Sequence, residues 1–369
     1  MSDETKSELP ATTEDEENTI LDVVTDLTLD STIPAPIRRN ALKAFDRLCS
    51  ALIDVPVGAL ERRSAEKRSE SEARIRIREE ITAQIVQQVK VDPEYALKAG
   101  HKFAEKIIRE QLNLDKISAI AANELKNSES NNPTDPDTSE PNKEQSTDST
   151  NQDINSGEEK TIDDYWLNIF ATEARPVSTE EMQHRFGRVL AGEIEKPESY
   201  SIKAVKLLGE LDQKTAALFK RLCSACVVFG FFRIPNSEHI IDAGVLSLGG
   251  SAGSNALSKY GLGFGQLNLL NEYDLIISNY NSWFKCNLYL LGGGKRAFLP
   301  FEHQGKYWNL LPLSEQENDL ELKLSGVVLS RVGRELFRIV DQDPMPEYTE
   351  DLRKFFAEQN LNMIEVNIP

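Results

Sequence analysis

Cys223-Ser-Ala-Cys226 has the spacing of a redox dithiol or of half a zinc site. Zinc needs a second pair of ligands, and the other cysteines stand at 49 and 286, the histidines at 101, 184, 239 and 303. The pair also falls within an apolar helical pattern, which favours cysteine acting as a small hydrophobe in a core. Gly261-Leu-Gly263-Phe-Gly265 precedes a short helix, and a helix N-terminus after glycines can hold a phosphate. It lacks the lysine and the strand–helix context of the phosphate-binding loops, as does Gly249-Gly-Ser-Ala-Gly253. Both read as turns. Gly292-Gly-Gly-Lys-Arg296 reads as a hairpin tip whose Lys295 and Arg296 could touch a phosphate backbone as a wing does.

The acids Glu173, Glu193, Glu195 and Glu198 lie on helical patterns, where carboxylates most often face solvent. Neither a G-x-S-x-G nor an H-E-x-x-H occurs. These observations name no catalytic residue, no metal ligand and no cofactor. The most unusual charged feature is the basic run Arg62, Arg63, Lys67, Arg68, Arg74, Arg76 and Arg78. Glu61, Glu66, Glu70 and Glu72 interleave with it, as i,i+4 pairs on a solvated helix or coiled-coil flank would. Two further readings are a surface for nucleic acid or anionic lipid, aided by the apolar "LCSALIDVPVGAL" before it, and a docking helix for a protein.

The elements around these residues divide the chain. Residues 1–30 carry ten acids and one lysine, and residues 127–164 carry eleven acids and two lysines. Those two stretches account for the whole net charge of -18, so overall acidity says little about the partners of the rest. An apolar fraction of 40% with a mean hydropathy of -0.42 fits folded parts diluted by polar segments. The run from Asn127 to Lys160 holds one aliphatic residue, Ile154, and is expected to be a disordered acidic linker. Before it, Ile37, Ala41, Phe45, Leu48 and Leu52 predict one helix. Ile77, Ile81, Ile85 and Val89 predict a second, Tyr95 to Ile107 a third, and Ile117 to Leu125 a short fourth.

After the linker, Ile162, Tyr165, Trp166, Ile169 and Phe170 follow helical spacing. Ser178-Thr-Glu-Glu181 reads as a capping box opening the next helix. Pro197 ends it, Ser199 or Ser201 caps another, and Asp212 caps one running to Cys226. From Val227 the composition turns strand-like, with a helix at 264–273, four strand-like stretches between 282 and 329, a helix capped by Ser330, a helix from Tyr348 to Gln359, and a last strand in "NMIEVN".

The expected fold class is α+β, mainly α. Its parts are an acidic tail (1–30), a helical module (31–126), the linker (127–160), a helical segment (161–226) and a mixed C-terminal module (227–369) with a winged-helix-like order of elements. The stretches "ALIDVPVGALERRSAEKRSESEARIRI", "FATEA" after Trp166, "FGRVLAGEIEKPESYSIKAVKLLGELD" and "LSRVGRELF" together resemble a bacterial family, domain of unknown function 2806, over residues 37–340. The resemblance implies a bacterial, intracellular protein and carries no catalytic residues with it. The helix–Pro-turn–helix corner also resembles proteins grouped with abortive phage infection.

There is no apolar run of membrane-spanning length, and the acidic start lacks the hydrophobic core of a signal sequence. A cytoplasmic location is expected. So is a non-enzymatic interaction or regulatory role, with a protein or a second copy of the chain as partner. Nucleic acid is the alternative partner and defence against phage the alternative role, while peripheral membrane contact is disfavoured.

Overall fold

A computed structural model describes residues 33–49, 93–130, 160–229, 242–290, 296–298, 300–313 and 321–367. The chain divides into two compact units, Met1–Ile162 and Asp163–Pro369.

In the first unit α1 (Ala35–Leu48) packs on α2 (Pro93–Ser130). Ala41, Ala44, Phe45 and Leu48 are the buried stripe of α1, as the four-residue spacing predicts. The α2 stripe buries Leu114, Ile117, Ala121 and Leu125. Sequence spacing suggested two helices here. They are one helix of 38 residues, because "REQLNLDK" between the two apolar blocks holds no proline or glycine to break it. It also runs four residues beyond Lys126, into the stretch expected to be linker. The Gln111 amide donates to the Leu48 carbonyl at 2.9 Å, closing the end of α1. Lys43 donates to the Ile162 carbonyl at 2.6 Å, so the last residues of this unit return to α1.

The second unit opens with four helices: α3 (Asp164–Ala174), α4 (Glu180–Glu195), α5 (Ile202–Glu210) and α6 (Gln213–Ala225). Their caps are local chemistry. The Asp163 carboxylate accepts from the Tyr165 and Trp166 amides, the Ser201 hydroxyl from Ala204, and the Asp212 carboxylate from Lys214 and Thr215. The expected capping box at 178–181 does not form. The cap of α4 is Thr179, and its side chain makes no capping bond.

Beyond α6 come β1 (Val227–Phe229), β2 (Asp242–Leu246), α7 (Phe264–Glu272), β3 (Ser282–Leu290), β4 (Arg296–Phe298), β5 (Phe301–His303), β6 (Lys306–Pro312), β7 (Glu321–Val328), α8 (Arg331–Phe337), α9 (Pro346–Ala357) and β8 (Leu361–Val366). All described strand pairs are antiparallel, in the order β4-β3-β7-β2-β1-β5-β6-β8. The α+β class, mainly α, is therefore the observed one.

The winged-helix order is present as α7 followed by the β3–β4 hairpin, with Leu290 opposite Arg296. That hairpin is not a free wing, since β3 also pairs with β7 over six residues as the margin of an eight-stranded sheet.

Close approach explains two glycines. A Cβ on Gly326 would lie 2.2 Å from the Val245 carbonyl oxygen, and one on Gly333 would lie 2.0 Å from that of Leu275. The β2–β7 crossing and the seat of α8 both need the missing side chain. The phenol of Tyr348, on α9, stands where β1 is too short to reach. It accepts from the Leu246 amide at 2.9 Å and donates to the Leu246 carbonyl at 3.0 Å.

Candidate functional site

A cleft of about 820 Å³ opens in the second unit between the β5–β6 hairpin, the segment 340–346 and the first turns of α9. Its hairpin turns through Gln304 and Gly305, with φ of 53° and 68°. Two successive positive φ values make the tight turn whose twist suits a two-residue hairpin. Glycine takes its place at no cost. Gln304 is held there by its side chain, which donates to the Ser224 carbonyl at 3.0 Å and the Asp343 carbonyl at 3.3 Å.

Strand alternation turns His303, Lys306 and Trp308 to the side of the sheet on which α9 packs. His303 is buried. Its Nδ1 meets the Cys226 carbonyl at 2.9 Å and its Nε2 the Thr349 hydroxyl at 2.9 Å. A carbonyl can only accept, so a ring proton is assigned to Nδ1; the Thr349 hydroxyl, also 3.1 Å from the Met345 carbonyl, has one proton to share between that carbonyl and Nε2. Burial holds the imidazole pKa below its ordinary 6.5, and the Cys226 carbonyl opposes that shift. The ring is neutral at physiological pH.

The charged lining is largely self-paired. Asp341 meets Arg188 at 2.6 Å, Asp343 meets Lys220 at 2.7 Å, and Glu365 meets Lys306 at 2.9 Å. Trp308 is 3% exposed, its indole N–H 3.3 Å from the His303 carbonyl. The Arg353 guanidinium lies over its ring, 4.9 Å from the centroid.

The chain is matched from residue 139 to residue 353 by the family model described as Protein of unknown function (DUF2806). That is more than half of its length. The chain belongs to the DUF2806 family. No curated protein and no solved structure matches it. The DUF2806 match begins at residue 139, in the stretch expected to be linker, and ends on α9, so the resemblance seen across 37–138 lies outside it. It takes in the cleft's hairpin, the 340–346 segment and Arg353, and leaves out Glu365.

The residues singled out by sequence fall elsewhere. Arg62, Arg63, Lys67, Arg68, Arg74, Arg76, Arg78 and Lys295 lie outside the described residues. Arg296 begins β4. Cys223 and Cys226 are buried free thiols whose pKa burial pushes well up. Among the described residues no group of three His, Cys, Asp or Glu could hold a metal ion. The dipeptide between the cysteines matters more to the cleft. Ser224 accepts from Gln304 through its carbonyl, and its hydroxyl accepts from the Asp343 amide at 2.8 Å.

At Gly263-Phe264 the first free amide of α7 already donates to the Asn255 carboxamide at 2.8 Å, which takes the place a phosphate would need. Glu193, expected on a solvated face, is 2% exposed. Its carboxylate accepts from the Glu198 amide at 2.7 Å and the Tyr200 amide at 2.9 Å. Burial nevertheless holds its pKa above the carboxylate range. Glu335 does the same work beside it, accepting from the Ser201 amide and hydroxyl at 2.8 and 2.6 Å. The corner at 196–201 is thus fastened by two glutamates and is structural.

Proposed function

We propose that this DUF2806 chain is a non-enzymatic interaction module whose second unit receives its partner in the cleft. The observation that supports this is how the cleft's polar groups are engaged. Acid–base catalysis needs a titratable group within hydrogen-bonding reach of a substrate proton. Here the imidazole is held on both sides by protein atoms, and three of the lining carboxylates are held by cations of the fold. A concave surface whose polar groups are fixed in this way suits recognition.

The test is a photo-cross-linking residue at exposed Glu350 on the rim, with one at exposed Lys206 on α5 as the control. One recurrent adduct at 350 and none at 206 is the expected result. Turnover of a substrate by the purified chain, abolished by a single cleft substitution, would falsify the reading.

A second reading has its own support. Trp283 is 63% exposed on β3, and Phe264, 44% exposed, meets Tyr280 edge-on at 6.0 Å. Exposed aromatic rings suit a nucleic-acid strand, whose bases stack on them. Labelled single-stranded and duplex oligonucleotides should bind at low salt and release steeply as salt rises, with Trp283→Ala weakening the single strand more. Absence of binding to either at low salt removes this reading.

A further inference from the structure

If the cleft receives a partner, its lining also selects the chemistry of that partner; the inference rests on the interaction reading. Of the two cations of the lining, Lys306 and Arg353, the second stands apart. Asp341, Asp343 and Glu365 each meet a cation of the fold, and Lys306 is held by both oxygens of Glu365 at 3.0 and 2.9 Å. Among the described residues no carboxylate lies within ion-pair distance of Arg353, whose neighbour is the Trp308 ring. That ring fixes where the guanidinium sits and uses none of its five N–H donors. A planar, always-charged fork with its donors unused, standing on a buried aromatic floor in a concave wall, is matched by a carboxylate.

Two features select among anions. Glu350 also lines the cleft, and its charge disfavours a doubly charged phosphate more than a single carboxylate. Glu365 belongs to β8, the last strand in the sheet order, which among the described residues has a strand neighbour on one side only. A terminal strand beside a cleft offers backbone groups to an extended chain, with pockets reading alternate side chains. We infer that the cleft binds an extended acidic peptide, one of whose side-chain carboxylates pairs with Arg353 over Trp308.

The experiment selects peptides from a random displayed dodecapeptide library on the full chain, then measures a synthetic representative by titration calorimetry. The expected result is enrichment of peptides with Asp or Glu at one position. Replacing that acid by its amide, or Arg353 by Met, should weaken binding at least about tenfold, the effect of losing one charge-assisted hydrogen-bonded pair. Arg353→Lys should restore part of it. Thermal midpoints of the variants check folding, and the amide-bearing peptide tests the same pair with the protein unaltered.

Peptides that bind without an acid and are indifferent to Arg353→Met, yet protect the Glu350 cross-linker, overturn the carboxylate inference and leave the interaction reading standing. Displacement of the peptide by millimolar inorganic phosphate as strongly as by its own carboxylate would also overturn it, the site then being a simple anion hole. No enrichment over an unrelated protein overturns both.

Discussion

The corner at 196–201 and the cleft at the β5–β6 hairpin both bring ionisable side chains out of water, and they do so in opposite ways. At the corner, Glu193 and Glu335 are buried and each oxygen that matters faces a backbone amide or hydroxyl that no other group serves. The chain could not make that turn without them, since an unmet buried donor costs about 1–3 kcal/mol. In the cleft the most buried group, His303, is neutral and fully engaged, while Arg353 is exposed and meets a ring in place of an anion. A buried, satisfied charge holds the fold. A charge on a wall with its donors idle is available to something else.

Substitutions can break that contrast, and the largest effect should come from the corner. Glu193→Gln keeps the shape but turns an NH2 toward one of two backbone N–H groups. A loss of about 3 kcal/mol is expected, from the unmet amide and the like-facing donors, read as a lowered denaturation midpoint with peptide or partner binding unchanged at low temperature. Glu193→Gln that unfolds no earlier than the parent would mean the corner is not held as described.

Tyr348→Phe removes one oxygen that serves both the amide and the carbonyl of Leu246. About 2 kcal/mol is expected, again with the cleft's binding retained.

His303 gives a pH signature. Its folded-state pKa lies below the 6.5 of the free group. The unfolded chain therefore takes up a proton first as pH falls. The stability contributed by the neutral ring is full above 6.5 and is lost as pH falls from there toward the folded pKa. Denaturation midpoints should fall for the parent between pH 7.5 and 5.5. They should fall less for His303→Gln. Equal slopes would put the titrating group elsewhere.

Arg353→Met should be the mildest to the fold, at about 0.5 kcal/mol for an exposed cation–ring contact, and the most damaging to binding. The two regions thereby exchange roles between the two assays.

Much of this fold is written in local sequence. Ser201, Asp212 and Ser330 cap the helices that begin beside them, because a cap depends on three or four consecutive residues. The same locality misleads at Ser178-Thr179, where a plausible box forms no side-chain bond. The short strands β1 and β2 escape a sequence reading since three and five residues give periodicity nothing to repeat over, and their pairing with each other and with β5 and β7 is non-local. The cleft is not legible at all. Its walls come from residues 302–308, 340–353 and 365, and no spacing rule joins them. In sequence Arg353 is one more charge on an amphipathic helix. Only the arrival of Trp308 from a strand 45 residues earlier distinguishes it.

The phenol at Leu246 has a consequence for the life of the protein outside a dilute solution. A strand whose neighbour stops short leaves a gap in the ladder, and such gaps are where foreign strands enter and chains begin to aggregate. The oxygen of Tyr348 fills that gap with a single atom that both donates and accepts, so that this stretch of β2 presents nothing to recruit. The same tyrosine sits on α9 beside Thr349, against the cleft wall. Any event that peeled α9 away would uncover a binding wall and an adhesive strand position together.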